Sequence, residues 1–273
     1  MLASWNDSPA RAEILDFVAR AVESVPPPER VAVFDNDGTL WCERPDYPQA
    51  EFLFAELGER PQDLGTIARA ALTRHAGLTV DEYGAAVARW FAAARHPRFG
   101  VAYDALIYAP MVELLDLLRA NGFRVFIVTG GGVEFVRAVS ERIYGVPPDD
   151  VVGSAVQVRV ARRDGRVVLV REPKLLGSPN EGEPKAVNIQ AHIGRRPILA
   201  AGNSAGDREM LEYAHGGDRP SLCLVINHDD PEREYVYAGA ALTNPDAEPL
   251  TNTASAYGWT TVSMRDDWKR IFV

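Results

Sequence analysis

Apolar residues along the chain follow two rhythms. Ile14, Phe17, Val18, Ala21 and Val22 recur at helical spacing. They predict a helix over Pro9–Ser24, with Ser8 as N-cap and Pro26-Pro27-Pro28 as stop. Val31-Ala32-Val33-Phe34 then runs apolar without alternation, the pattern of a strand buried on both faces of a parallel sheet. Arg124–Val128, Pro197–Ala201 and Leu222–Ile226 repeat that pattern, and Trp259–Met264 reads as a last, edge strand. Between these runs, helical periodicity covers Pro110–Ala120, continues through Val136, Val139 and Ile143, and returns near Pro184–His192, with a short helix after Asp207. Val156, Val158 and Val160 alternate with polar residues, Asp164-Gly165 signals a turn, and Arg166–Val170 returns: a hairpin.

Residues 42–108 break the rhythm. They are rich in Ala, Glu, Arg and aromatics and predict three helices, Gln49–Leu57, Pro61–Leu72 and Val80–Ala94. The expected organisation is therefore an α/β core from residues 1–41 and 109–273, with a small helical cap domain over 42–108. Strand–helix alternation predicts a doubly wound, mostly parallel, Rossmann-like sheet with the hairpin inserted. Ligands of such sheets bind beyond the carboxyl ends of the strands.

Length and composition fit this picture. A chain of 273 residues accommodates a core domain and a smaller insert. The net charge of −9 argues against nucleic acid or an anionic membrane as partner. It also requires any phosphate site to bring local positive charge. Cys42 and Cys223 lack zinc-type spacing and read as core fillers. Met1–Asp7 lacks a basic start followed by an apolar run, and no stretch has the length of a membrane span, so a cytoplasmic location is expected.

The candidate chemistry lies in short polar segments, three of them just past a buried strand. Asp35 and Asp37 end the first strand, and paired acids there are costly without a cation or a proton. A hard divalent cation, Mg2+ above all, is one solution. Asp35 is then a candidate nucleophile toward phosphorus, and Asp37 a candidate acid and base. The alternative is an Asx turn closed by Gly38. Thr129 and Gly130 offer a hydroxyl and backbone N–H groups to phosphate at a helix start, although a flexible strand-to-helix turn explains them too. Lys185 opens a helix, where its charge opposes the dipole. It reads either as a surface lysine or as an ammonium aimed into the crevice. Asn203 and Asp207 supply oxygens toward a metal, or else Asp207 caps a helix.

Taken in this order, the segments resemble those of the haloacid dehalogenase-like phosphatase superfamily. VFDNDGTL resembles its first motif, FIVTGG its second, the lysine of GEPKAV its third and LAAGNSAGD its fourth. The resemblance spans roughly residues 31–226. The helical insert resembles a C1-type cap, and the hairpin at about 154–171 looks like that of phosphoserine phosphatase relatives. It implies that Asp35 is nucleophile and magnesium ligand, and that Asp37 is acid/base and lends its carbonyl to the metal. Thr129 and Gly130 would bind phosphate, Lys185 would stabilise the phosphoryl intermediate, and Asp207 would hold the metal or its water. One departure stands out: the fourth motif often begins Gly-Asp, and here it is Gly202-Asn203, with an oxygen but no charge. Dehalogenases lack an acid two residues after the nucleophile, and P-type ATPases carry Thr there. Asp37 therefore favours a phosphatase.

The expected activity is magnesium-dependent hydrolysis of a small phosphomonoester, phosphoserine-like compounds among the options, through an aspartyl-phosphate. A phosphotransferase or mutase using the same intermediate is the alternative, and a non-catalytic phosphate-binding module a more distant one. Trp41, Glu43, Arg44 and Tyr47 are candidates for contact with the leaving group. Trp41 either stacks on substrate or packs under the cap, and Glu43 and Arg44 either read a charged substrate group or are solvated charges. His228 either borders the crevice or is a bystander, while Trp268 and Phe272 are expected to pack on the core.

Overall fold

The computed structural model describes residues 2–239 and 246–273. Its centre is β1, Val31–Phe34, whose four side chains are all fully buried. On one side β1 pairs in parallel with β2 (Arg124–Gly132), and β2 with β3 (Val151–Ser154). On the other side it pairs with β6 (Leu199–Gly202), and β6 with β7 (Leu222–Asp229). The order β3-β2-β1-β6-β7 is parallel throughout. At its far edge β7 also pairs with β9 (Thr260–Ser263) in parallel and with the short β8 (Val236–Tyr237) antiparallel. The hairpin of β4 (Val156–Arg163) and β5 (Arg166–Leu175) forms a separate two-stranded sheet.

Alternation along β1 divides the core in two. Ala32 and Phe34 face α1 (Pro9–Ser24), α5 (Ala109–Ala120) and α6 (Val133–Tyr144). Val31 and Val33 face α7 (Glu183–Ile193), α8 (Arg208–His215) and α9 (Leu250–Tyr257). Helices on both faces make the sheet doubly wound, which explains why its strands read as unbroken apolar runs.

Between β1 and α5 lie α2 (Pro48–Leu57), α3 (Leu64–Thr73) and α4 (Val80–Ala93). Asp63 caps α3 by accepting from the Thr66 amide, so the helix begins at Leu64 and not at Pro61. Thr79 and Glu82 close a reciprocal capping box on α4. Phe52, Tyr83, Val87 and Phe91 join the same apolar cluster as α1, α5 and α6, so these helices share a core with the sheet. The hairpin folds onto them: the Arg171 amide donates to the Leu78 carbonyl at 2.9 Å. The Arg171 guanidinium lies 3.9 Å from the centre of the Tyr83 ring and 3.1 Å from Glu134.

Four further features differ from the sequence expectations. The second strand continues in extended form through Thr129–Gly132, with a register shift before Gly132 pairs with Ser154, and runs straight into α6. The strands at 151–154 and 236–237 and the helix at 250–257 were not anticipated. Trp268 is fully buried and Phe272 packs against the same core, as their sequence suggested.

Candidate active site

The first strand hands its direction to a tight turn. The Asp35 amide still pairs with Ala201, at 2.9 Å, so the carboxylate leaves the sheet beside β6. The Asn36 carbonyl accepts the amides of Thr39 and Leu40, which folds the chain back. The Asn36 side chain is buried and accepts from the Tyr144 hydroxyl at 3.0 Å. Gly38 has φ +73°, and a Cβ there would lie 2.0 Å from Asn203 Nδ2. Glycine is thus required twice over, for the left-handed backbone and for close approach. Trp41 is 1% exposed, packs among Phe91, Phe135 and Tyr144, and donates from Nε1 to Asp37 Oδ1 at 2.7 Å. It is a packed support for Asp37, not an exposed stacking surface.

Lys185 sits in the first turn of α7 and is 2% exposed. Its Nζ donates to Asp35 Oδ1 and to Asp207 Oδ1, each at 2.6 Å. Asp207 Oδ2 accepts the amides of Asn203 and Ser204 at 3.0 Å each, which ties the loop after β6 to the same lysine. Asn203 is buried; its Oδ1 accepts from Thr39 at 3.3 Å and its Nδ2 donates to Glu43 at 3.2 Å.

The third wall is the end of β2. Thr129 is fully buried, and its Oγ1 accepts from the Gly131 amide at 3.0 Å. A Cβ at Gly131 would sit 3.2 Å from Gln49 Oε1, 3.3 Å from Thr129 Oγ1 and 3.6 Å from Asp37 Oδ2. One point is therefore ringed by groups from α2, β2 and the turn after β1. Gly130 remains exposed there, with its carbonyl accepting from Ser154. The structure thus gathers Asp35, Asp37, Thr129, Gly130, Lys185, Asn203 and Asp207 beyond the carboxyl ends of β1, β2 and β6.

Electrostatics sharpen the picture. Burial, and then repulsion from Asp207, raise the Asp35 carboxyl well above the ordinary range against the pull of Lys185. Burial pushes Asp37 up to about 7; the Trp41 hydrogen bond opposes this and Glu43 adds to it. Burial alone would lower Lys185, but Asp207 and Asp35 outweigh it and hold the ammonium above its usual range. Two buried carboxylates, Asp35 and Asp207, thus share one lysine, with the half-buried Asp37 beside them, an arrangement that a bound cation relieves. Among the described residues no three His, Cys, Asp or Glu side chains form a cage on their own. Two carboxylates, an amide oxygen and a backbone carbonyl are the hard oxygen donors that suit Mg2+. The donors fit such an ion.

Other residues complete the site. Gln49, read from the sequence only as the start of a helix, accepts from the Gly132 amide at 2.7 Å. Glu43 is 6% exposed, so it is not a solvated charge, and the Tyr237 hydroxyl joins Asn203 as its donor. Arg44 stacks over Tyr237, 4.2 Å from the ring centre. Burial, then Glu43 and Asp37, raise the Tyr47 phenol above its usual range. His228 is buried beneath the turn: its Nε2 lies 2.8 Å from the Gly38 carbonyl and its Nδ1 3.1 Å from Glu234. Gln49, Tyr237 and Glu234 carry no local motif that would have marked them.

A doubly wound sheet with acids after β1, a Thr-Gly segment at the end of β2 and a lysine-tied loop after β6 defines a hydrolase class. Residues 32–212 match the haloacid dehalogenase-like hydrolase family, and the chain belongs to it. No curated protein matches the sequence. Among solved structures, a protein of unknown function from Bordetella pertussis Tohama I is similar at 17% identity over 86% of this chain and 98% of that one, with TM-score 0.55. A functionally unknown protein from Anaerococcus prevotii DSM 20548 is similar at 14% identity over 87% and 95%, with TM-score 0.57. A phosphoserine phosphatase in apo form is similar at 17% identity over 74% and 88%, with TM-score 0.43. The first two likenesses establish a shared fold.

Proposed function

We propose that this protein is a magnesium-dependent phosphomonoester hydrolase that works through an aspartyl-phosphate on Asp35. The observation that carries the reading is the Lys185 ammonium 2.6 Å from both Asp35 and Asp207, with Asp37 beside them, in a member of a hydrolase family. Asp35 attacks phosphorus, and the bond from phosphorus to the ester oxygen breaks. Asp37, kept protonated toward neutral pH and steered by Trp41, gives its proton to the departing alkoxide. It then takes a proton from water, which attacks phosphorus, releases inorganic phosphate and frees Asp35. Thr129 and Gly130 hold the phosphoryl oxygens, and Lys185 neutralises the charge that builds on them. Bound Mg2+, held by Asp35, the Asp37 carbonyl, Asn203 and Asp207, supplies charge neutralisation between carboxylate and phosphate. Asp207 would hold the ion or its water while Oδ1 accepts from Lys185 and Oδ2 from the Asn203 and Ser204 amides.

Residues 42–108 serve as a cap that closes over the leaving group, a role supported by Gln49 reaching from α2 to Gly132. The substrate is a small phosphorylated metabolite, because the site lies among buried side chains. Among the described residues no helix is long and apolar enough to cross a membrane. The direct test is release of inorganic phosphate from an aryl phosphate with Mg2+ and with chelator. Metal-dependent release into water, without an added alcohol acceptor, is expected; transfer that requires the acceptor would overturn hydrolysis in favour of phosphotransfer.

A further inference from the structure

Asn203 occupies a position where an amide has a choice that a carboxylate lacks: its oxygen or its nitrogen can face the catalytic crevice. Its neighbours remove the choice. Glu43 presents a carboxylate oxygen 3.2 Å from Nδ2; burial raises this carboxyl, while His228, the Tyr237 hydroxyl and Arg44 favour its ionised form, which only accepts hydrogen bonds. The nitrogen must point to Glu43, so Oδ1 points back toward Thr39 and the Asp35 side, where Thr39 donates at 3.3 Å. Glu43 is itself fixed. The Tyr237 hydroxyl donates to it, and that hydroxyl lies 3.1 Å from His228 Nε2, while His228 is anchored to the Gly38 carbonyl and to Glu234. Gly38 leaves the two side chains in contact, since a Cβ there would strike both, at 2.0 Å from Asn203 Nδ2 and 2.9 Å from Glu43 Cδ.

We infer that Glu43 and Asn203 form a matched pair at the cation site. Glu43 orients the Asn203 carbonyl oxygen toward Asp35 and supplies, one amide group away, the negative charge that position 203 lacks. An acid at 203 would face Glu43 carboxylate to carboxylate, which accounts for the asparagine. This inference rests on the magnesium reading above. Glu43 is a positioning residue here, acting on the cation through Asn203.

Calorimetric titration with Mg2+ alone, in the absence of substrate, tests it. The proteins are the wild-type chain, Glu43→Gln, and Glu43→Gln combined with Asn203→Asp, with circular dichroism as the check on folding. Losing the charge in Glu43→Gln weakens Mg2+ binding by roughly tenfold or more, as for loss of one short-range charge interaction. The double variant recovers most of that loss, because the amide at 43 now donates to a carboxylate at 203. Asn203→Asp alone lowers the melting temperature of the metal-free protein and does not do so in the Glu43→Gln background. Wild-type Mg2+ affinity in Glu43→Gln, or a double variant no better than Glu43→Gln, would overturn the pairing. So would an unchanged melting temperature in Asn203→Asp, a readout that stands even where Glu43→Gln does not fold. A wild-type chain that binds no Mg2+ would instead bring down the cation reading, and the pairing with it.

Discussion

At the scale of single residues, the site depends on charges placed where burial makes them expensive. Lys185 pulls the buried Asp35 toward its ionised form and a bound cation would add to that pull, so Asp35→Asn removes both the proposed nucleophile and one partner of the lysine. Phosphate release in that variant is expected to vanish; full activity would refute the nucleophile assignment. Asp37 differs, because its proposed role is proton transfer. Asp37→Asn keeps the Trp41 hydrogen bond through its amide oxygen and loses only the proton, so turnover should fall by at least ~10²-fold. Substrates with good leaving groups should suffer least, which a comparison of aryl and alkyl phosphates measures. Gly38→Ala tests the turn itself. A side chain at φ +73° costs about 1–2 kcal/mol, and its Cβ also displaces Asn203. The variant should melt a few degrees lower and need more Mg2+ for half-maximal activity. Unchanged metal dependence would show that Asn203 does not serve the cation. These residues were legible in the sequence because each sits in a short segment whose chemistry is local. Gln49, Tyr237 and Glu234 were not, because their contacts join positions far apart in the chain, and nothing beside a glutamine on a helix says which amide it will meet. Glu43 was visible but read first as a solvated charge, since burial of a charge is decided by distant neighbours.

At the scale of elements, pattern and outcome agree where the apolar signal is long or unbroken. Val31–Phe34 was readable to the residue because both faces of β1 are covered, and Pro9–Ser24 because its cap and stop are explicit. Val151–Ser154 escaped because two valines before a glycine, just after Pro147-Pro148, look like a turn; only the pairing with β2 makes them a strand. Leu250–Tyr257 escaped for want of periodicity: Leu250 and Ala254 are its buried apolar positions amid Thr, Asn and Ser. The three glycines after Thr129 read as a turn, yet the ladder to β3 keeps them extended. Arg30 shows how elements are joined at the end opposite the site. Its guanidinium donates to Val22 and Val25 at the end of α1 and to Asn121 at the end of α5, at 2.8–2.9 Å. A cation at two helix C-termini completes carbonyls that have no helical partner. Arg30→Met should therefore destabilise by roughly 2–4 kcal/mol, on the scale of losing charged hydrogen bonds to buried carbonyls. Chemical denaturation measures this. Activity of the folded enzyme should be unchanged, because the clamp lies at the amino ends of the strands.

At the scale of the whole molecule, the question is whether the helices of residues 42–108 fold as a separate unit or as part of the core. Their sequence differs from the rest, which suggested a cap. Their packing argues for cooperation: Trp41, Phe52, Trp90, Phe91 and Phe135 form ring contacts of 5.3–6.4 Å that cross from α2 and α4 to α6. The two ends of the chain are joined as well. Trp5 meets Trp268 edge-on at 6.1 Å, and the Lys269 amide donates to Ser4 at 2.8 Å. Trp268 also packs on Tyr108, whose hydroxyl donates to the Glu234 that supports His228. Removing a fully buried indole at this junction leaves a cavity, and Trp268→Ala should cost about 3–5 kcal/mol. If the apolar cluster is one cooperative unit, far-UV and near-UV signals will still melt in a single coincident transition at a lower temperature. A two-step melt, with one step leaving the Trp41 and Trp90 environment intact, would mean that the helical segment holds its own stability and moves as a rigid cap.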